Sequence, residues 1–201
     1  MSERQGIELD GVFNNIEALK SSYTPSELTY RESQLDKTAS VLVSALRGDT
    51  PSNILMHGRK GTGKTTTARY VGRELESAGQ GIGEPCEFKY LDCGEFDTQN
   101  KVITRLARKF GRSDVPETGW PKDHVYEVLL NAIDSHQHVV VLALDEIDKL
   151  VKNDGDRVLY SLSRINTDLD NSTVSLIGIS DDVQLTRMFD PRIKSSLGEV
   201  K

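Results

Sequence analysis

The stretch of sequence that decides the fold is Gly58-Arg59-Lys60-Gly61-Thr62-Gly63-Lys64-Thr65. It matches the pattern G-x-x-x-x-G-K-[ST] of phosphate-binding loops at every fixed position. In such loops glycines let the backbone turn tightly and point N–H groups at phosphate oxygens. The lysine reaches the outer phosphates and the final hydroxyl ligates Mg²⁺. We therefore predict that this loop and the adjoining Thr66 bind the phosphates of ATP or ADP together with Mg²⁺.

The residues on either side of the loop favour a strand before it and a helix after it. Residues 53–57 have the composition of a short buried strand, and Ala68, Val71 and Leu75 recur at helical spacing. Phosphates bound here would lie at a helix N-terminus, where free N–H groups and the helix dipole attract anions. This context disfavours the alternative of a chance glycine-rich turn.

A pair of carboxylates, Asp145 and Glu146, follows the apolar run 139–144. Such a run is typical of a parallel strand covered on both faces, and open α/β sheets bind ligands at the carboxyl ends of these strands. We predict that Asp145 joins Thr65 in holding Mg²⁺, and that Glu146 polarises the water that attacks the γ-phosphate. The pair favours a nucleotide hydrolase over a nucleotide kinase.

Apolar patterns along the rest of the chain alternate between strand and helix. Further strands are predicted at residues 87–91 and 174–179, and helices at 99–110, from Pro121 onward and around 158–169. This alternation predicts an α/β fold with three layers and a mainly parallel sheet. Four strands are visible in the sequence.

Length, charge and cysteine content narrow the class of protein. A chain of 201 residues fits one α/β domain rather than two. The formal net charge of −6 excludes a globally basic nucleic-acid binder, although not a local basic patch. The two cysteines lack C-x-x-C spacing, and there is no secretory signal or membrane-length apolar run. We therefore expect a cytoplasmic protein with reduced thiols and no membrane partner.

Two further strings are more specific than the loop and the carboxylate pair: Tyr23-Thr24-Pro25-Ser26-Glu27-Leu28-Thr29-Tyr30-Arg31-Glu32 and Asp190-Pro191-Arg192-Ile193-Lys194-Ser195-Ser196-Leu197. In both, the chain resembles the AAA+ ATPase domain of the archaeal replication initiators, relatives of the eukaryotic origin recognition complex and licensing factor. The resemblance implies the P-loop NTPase (AAA+) fold. It implies that Arg192 is an arginine finger that reaches the γ-phosphate of a neighbouring subunit. It also implies an adenine pocket framed by Tyr23, Pro25, Arg31 and Glu32.

The resemblance also implies boundaries and partners. Residues 1–22 would form an N-terminal arm, and residues 23–201 the ATPase base domain, incomplete at its C-terminal end. The chain stops before the family's fifth strand, helical lid and winged-helix domain, so it is either a shortened member or part of a longer protein. In the family's strand order, 5-1-4-3-2, a missing fifth strand leaves the first strand as an exposed edge. Implied partners are further copies of the chain, other replication initiators and helicase-loading proteins.

One residue departs from the family's pattern at the end of the fourth strand. Asp181 stands where the family usually has an asparagine, which helps to orient the attacking water. A carboxylate there has no N–H group to donate, and it faces the negative charge of the γ-phosphate. We therefore expect Asp181 to be a catalytic position that weakens hydrolysis.

A basic helical face is the candidate contact with nucleic acid. Lys101, Arg105 and Arg108 follow one another at i, i+4 and i+7 in the predicted helix 99–110. An ordinary solvated face is the alternative explanation. The initiator family carries a DNA-contacting helix after its second strand, so the resemblance implies weak contacts with the phosphates of duplex DNA and a nucleoid-associated protein.

Three functions follow from these observations. The first is an ATP-binding, weakly hydrolysing AAA+ domain of a DNA replication initiator that recognises origin DNA. The second is a non-catalytic interaction module whose surface depends on bound nucleotide. The third is another AAA+ ATPase, either clamp-loader-like or transposition-associated. Turnover separates the first two, and a comparison of origin DNA with random DNA addresses the third.

Overall fold

The apolar runs of the sequence become strands of one sheet in the computed structural model, which describes residues 32–83, 85–96 and 98–200. Every strand pairing within this part of the chain is parallel, in the order β2-β3-β4-β1-β5. The carboxyl ends of the strands therefore share one edge of the sheet. The strands are β1 (Ile54–His57), β2 (Cys86–Asp92), β3 (Val139–Asp145), β4 (Thr173–Ser180) and β5 (Gly198–Val200).

The prediction that the fifth strand is missing is wrong. Gly198–Val200 forms β5, which pairs with β1 so that Gly198 lies opposite Ile54. The backbone N–H of Gly198 also donates to the carbonyl of Asn53 at 3.0 Å. β1 is therefore an inner strand between β4 and β5, and not the exposed edge that we expected. A strand of three residues has no apolar run or alternation that a sequence pattern could detect.

Helices connect the strands and cover the sheet. The helix predicted around 158–169 is shorter than expected, since it ends at Ser163 and is followed by a 3₁₀ turn at Ile165–Thr167. No helix in the described ranges is long and apolar enough to cross a membrane. The helices are α1 (Glu32–Leu42), α2 (Lys64–Ile82), α3 (Gln99–Lys109), α4 (Lys122–Ile133), α5 (Ile147–Asp154), α6 (Arg157–Ser163) and α7 (Pro191–Ser196).

Two clusters of buried apolar side chains lie on opposite faces of the sheet. Along β3, Val140 and Leu142 belong to the cluster that includes α3, α4 and α6, whereas Val139 and Val141 belong to the cluster that includes α2. Successive side chains of a strand point to opposite faces, so a strand covered on both faces is apolar throughout. All of β3 is buried. The three-layer α/β prediction is confirmed.

The two cysteines are buried and unpaired. Burial is the main cause that raises the pKa of the Cys86 thiol to about 11, with a smaller contribution from Glu76. Burial also raises the pKa of Cys93. Both residues therefore remain protonated thiols at neutral pH.

The packing of α2 on β2 can be tested at a glycine. A Cβ atom on Gly72 would overlap the Phe88 ring, whereas a Cβ on Gly81 of the same helix has open space around it. We expect Gly72→Ala to destabilise the fold by about 1–3 kcal/mol because the ring must move. Gly81→Ala should instead stabilise it by about 0.5–1 kcal/mol, since alanine is the better helix former. Thermal unfolding followed by circular dichroism gives both values, and an unchanged midpoint for Gly72→Ala would contradict the packing.

Candidate functional site

The loop between β1 and α2 has the backbone of a phosphate cradle. Gly61 and Gly63 have φ angles of 78° and 75°, in the left-handed region that favours glycine. Gly63 is the N-cap of α2, and no side chain caps this helix end within the described residues. The first N–H groups of α2 are thus directed toward the loop without a side-chain partner at the cap. That arrangement suits a bound phosphate.

The remaining loop residues lie around this backbone. The side chains of Arg59 and Lys60 are exposed, so these two residues contribute to the loop through their backbone. The Thr62 hydroxyl donates to the carbonyl of Arg59 at 2.8 Å, which closes the turn. Gly58 donates its N–H to the carbonyl of Ser180 at 3.3 Å, which ties the loop to β4. Thr66 lies half-buried in the first turn of α2.

Lys64 is folded back over the loop. Its ammonium donates to the carbonyls of Gly58 and Arg59 at 2.9 and 3.0 Å, and lies 3.4 Å from the Thr62 hydroxyl. It also forms an ion pair with Asp181, with 2.7 Å between Nζ and Oδ1. The cation at the centre of the predicted phosphate site is therefore already bound to a carboxylate of its own chain.

Thr65 and Asp145 meet as the sequence predicts. The Thr65 hydroxyl donates to Oδ2 of Asp145 at 2.5 Å, and Asp145 is buried at the end of β3. A hydroxyl and a carboxylate in direct contact are the hard oxygen donors that Mg²⁺ prefers, so the residues present fit this ion. Together with the free helix end, they form a site suited to a metal-bound phosphate.

Tyr90 is a site residue that sequence reasoning missed. Its hydroxyl donates to the same Oδ2 of Asp145 at 2.9 Å. Burial, followed by the Asp145 carboxylate, raises the pKa of Tyr90, so the phenol stays neutral and remains a donor. A tyrosine within a strand carries no functional signal of its own. Only the pairing of β2 with β3 brings it next to Asp145.

Glu146 lies at the sharp turn between β3 and α5. Its φ of 53° is the one positive value outside glycine in the described chain, and its N–H donates to Oδ1 of Asp145 at 2.8 Å. Its carboxylate forms an ion pair with Lys149. A Cβ on Gly94 would overlap that carboxylate, so the glycine makes room for it. Strained backbone of this kind is frequent at functional sites.

Asp92 adds a further carboxylate to this edge of the sheet. It ends β2 opposite Asp145 and accepts the N–H of Gly94 at 2.8 Å. Burial is the main cause that raises the pKa of Asp92, and the Glu146 and Asp145 carboxylates act in the same direction. Neither Asp92 nor Lys149 belongs to a sequence motif of the site, and only the fold reveals their role.

Arg192 contacts its own end of α7 rather than the loop. Its guanidinium donates to both oxygens of Asp190 at 3.0 Å and lies 4.8 Å from the centre of the Tyr160 ring. The hydrogen bonds from Arg192 lower the pKa of Asp190 to about 2. The Arg192 side chain is 68% exposed, which leaves its outer surface accessible to another molecule.

The basic face exists, and Arg105 and Arg108 on it are paired with a carboxylate. Lys101, Arg105 and Arg108 all lie on α3. Arg105 and Arg108 both contact Oε1 of Glu117, at 2.8 and 3.0 Å, and Arg108 also donates to the carbonyl of Val115 at 2.8 Å. Glu117 therefore compensates part of the positive charge of this face.

A cleft of about 510 Å³ extends from Thr65 to Arg105 and Lys109 on the basic helix. Within it, the Arg69 guanidinium lies 3.8 Å above the centre of the Tyr90 ring. Thr65 and Arg105 both line this cleft. A molecule bound at Thr65 would therefore lie near Arg105, and one bound at Arg105 would lie near Thr65. The lining residues are Thr65, Arg69, Tyr90, Leu91, Asp92, Glu95, Phe96, Arg105 and Lys109.

The predicted N-terminal arm, residues 1–22, lies outside the described residues. So do the three adenine-pocket candidates Tyr23, Pro25 and Arg31. The fourth, Glu32, begins α1.

Comparison with known proteins identifies a family that matches most of the chain. Residues 47–185 match the AAA domain family. The chain belongs to this family. Its sequence is 52% identical over 193 residues to ORC1-type DNA replication protein 1 of Methanosarcina mazei, covering 95% of this chain and 46% of that protein. It is 42% identical, over an alignment of 245 positions, to ORC1-type DNA replication protein 4 of Haloarcula marismortui. This alignment covers 96% of this chain and 47% of the relative.

Two solved structures have the fold of this chain. The ORC1 protein of Aeropyrum pernix in complex with DNA has a TM-score of 0.82 and 39% identity, over 90% of this chain and 46% of that one. The ORC2 protein of Aeropyrum pernix, in ADPNP and ADP complexes, has a TM-score of 0.80 at 20% identity, over 93% of this chain and 51% of that one, which shows a shared fold. This AAA family chain spans about half the length of the relatives it matches.

Proposed function

We propose that this chain is the ATP-binding and weakly hydrolysing AAA+ domain of a DNA replication initiator that recognises origin DNA. The observation that carries the proposal is the contact between Thr65 and Asp145 beside the uncapped start of α2. Its replication role rests on the similarity to ORC1-type DNA replication proteins of archaea.

Each residue of the site has a part in binding ATP or ADP. The N–H groups of the loop and of the first turn of α2 hold the phosphates, and Lys64 supplies the cation for the outer ones. Thr65 and Asp145 would hold Mg²⁺, which neutralises phosphate charge when it is bound. Tyr90 positions Asp145 by donating to it and remains neutral.

Hydrolysis would depend on Glu146 and would be slow. Glu146 is the general base, and it must give up its ion pair with Lys149 before its carboxylate accepts a proton from water. Asp181 adds negative charge beside Lys64, where the phosphate charge must be stabilised. Arg192 would act on the nucleotide of a neighbouring copy, because its guanidinium is exposed at α7.

A second candidate function is a non-catalytic module whose interactions depend on bound nucleotide. The ion pairs Lys64–Asp181 and Glu146–Lys149 favour it, since both engage groups that hydrolysis needs. Another kind of AAA+ ATPase, clamp-loader-like or transposition-associated, has weaker support because similarity to ORC1-type proteins extends over 95% of the chain.

DNA would be bound weakly through α3. A solved relative with 39% identity is an ORC1 protein in complex with DNA, and the cleft beside Arg105 leads to the nucleotide site. Contacts of this type neutralise phosphates without reading bases. The proposed partners besides DNA are further copies of the chain, other replication initiators and helicase-loading proteins. The proposed location is the cytoplasm, in association with the nucleoid.

Nucleotide binding is tested at the lysine of the loop. We expect Lys64→Ala to abolish binding of ATP and ADP in the presence of Mg²⁺, because the loop loses the cation that faces the outer phosphates. Lys37→Ala removes an exposed lysine from α1 and should bind both nucleotides like the parent. Isothermal titration calorimetry measures the affinities. Equal binding by Lys64→Ala and the parent would refute the site.

Turnover is tested at Glu146. We expect the parent to release phosphate slowly, and Glu146→Gln to release it at least about 10²-fold more slowly, because the amide cannot act as a base. The variant should still bind ATP. Glu95→Gln removes an exposed carboxylate near the same edge and serves as the control. No phosphate release by the parent, despite ATP binding, would favour the non-catalytic module.

DNA binding is tested by charge changes on α3. Reversal of Arg105 and Arg108 to Glu should weaken binding to duplex DNA and flatten the slope of log affinity against log salt by about two units. Glu117→Gln should strengthen binding, since it releases both arginines from their ion pairs. Arg47→Glu with Arg187→Glu makes the same change of net charge at exposed positions elsewhere.

Fluorescence anisotropy over a salt series, with origin and random duplexes, separates these outcomes. If the α3 variant and the Arg47/Arg187 variant weaken binding equally, net charge alone explains it and α3 is a solvated face. Contacts through α3 alone should give equal affinity for origin and random DNA, because phosphate contacts carry no sequence information. A preference for origin DNA would show base contacts by another part of the chain and would favour the initiator over other AAA+ ATPases.

A further inference from the structure

We propose that Asp181 makes this site select nucleoside diphosphates over triphosphates. This inference rests on the proposed nucleotide binding and names the selectivity of the same site. The proposal is based on the ion pair between the Asp181 carboxylate and Lys64, because Lys64 is also the cation that a terminal phosphate needs.

The fold places Asp181 at the start of the phosphate loop. β4 ends at Ser180, which lies opposite His57 at the end of β1, and Gly58 donates its N–H to the carbonyl of Ser180. Asp181 is the next residue along the chain. The end of β4 and the beginning of the loop are thus joined by the parallel pairing, which fixes the backbone of Asp181 beside Lys64.

The side-chain contact is direct and partly shielded from water. Oδ1 of Asp181 lies 2.7 Å from Nζ of Lys64. The Lys64 side chain is 11% exposed and the Asp181 side chain is 37% exposed, so the shielding comes from the lysine side. An ammonium has three protons to donate, and the carbonyls of Gly58 and Arg59 accept within 3.0 Å. With Asp181 as a third acceptor, the donors of Lys64 are satisfied and its charge is compensated.

A terminal phosphate meets this carboxylate through the shared lysine. A charge-assisted hydrogen bond from Nζ to a phosphate oxygen is about 2.8 Å long, so that oxygen and Oδ1 of Asp181 would lie within about 5.5 Å of each other. Two anions at this separation repel strongly where water is partly excluded. In a diphosphate Lys64 meets the β-phosphate alone, whereas in a triphosphate it meets the β- and γ-phosphates together. The triphosphate brings more negative charge to the same lysine, so its repulsion by Asp181 is the greater.

A neighbouring carboxylate provides a matched control. Asp182 lies next to Asp181 in sequence, but it forms its ion pair with Lys152 on α5, at 2.9 Å. Asp182 therefore has a cation outside the loop, whereas Asp181 uses the cation of the loop. Neutralising Asp182 changes net charge at the same edge of the sheet without removing an anion from Lys64.

The experiment measures the affinities for ATP and ADP with Mg²⁺ by calorimetry in the full 201-residue chain. All variants are made in a Glu146→Gln background so that ATP is not consumed. We expect Asp181→Asn and Asp181→Ala each to raise the affinity for ATP about tenfold and that for ADP by less than about threefold. Asp182→Asn should leave the ratio of the two affinities unchanged.

Each result decides the matter. A higher ATP affinity in Asp181→Asn but not in Asp181→Ala would overturn the proposal. The gain would then come from the amide donor of asparagine rather than from removal of the charge. An unchanged ratio in both Asp181 variants, or an equal change in Asp182→Asn, would overturn it as well. In these cases nucleotide binding itself still stands. If the parent and all variants bind neither ATP nor ADP, the proposed function fails and the selectivity fails with it.

Discussion

The parallel pairing of β1 with β4, of β4 with β3 and of β3 with β2 is the constraint on which the site depends. It brings the loop after β1, Asp145, Asp92 and Asp181 to one edge of the sheet. Shifting β3 by one residue would turn each of its side chains to the opposite face. The two apolar clusters cover both faces of β3, and the observed register places Asp145 beside Thr65 and Tyr90.

Ion pairs within the chain engage the groups that would act on a nucleotide. Lys64 is paired with Asp181, Glu146 with Lys149, and Arg192 with Asp190. Lys149 and Arg192 are exposed, so water screens the pairs that they form and these pairs contribute little to folding stability. These pairs matter for binding, because each must be exchanged for a new contact. A phosphate must replace Asp181 on Lys64, a water must replace Lys149 on Glu146, and a neighbouring copy must replace Asp190 on Arg192.

The same principle applies to α3. The spacing of Lys101, Arg105 and Arg108 predicted a common face because helical periodicity is a local property of the chain. Whether the cations on that face are available to a ligand depends on residues outside the helix. Glu117 reaches Arg105 and Arg108 from the segment between α3 and α4, so the potential of the face is lower than its sequence indicates.

The sequence by itself determined the loop, the apolar strand before Asp145 and the three-layer fold class, because each depends on a continuous motif or a periodic pattern. It missed β5, whose three residues have no pattern. It also gave no indication of Tyr90, Asp92 or Lys149. Only the tertiary structure decided that these residues meet Asp145 and Glu146, and that Asp181 lies on Lys64, since strand order and register bring together side chains that are distant along the chain.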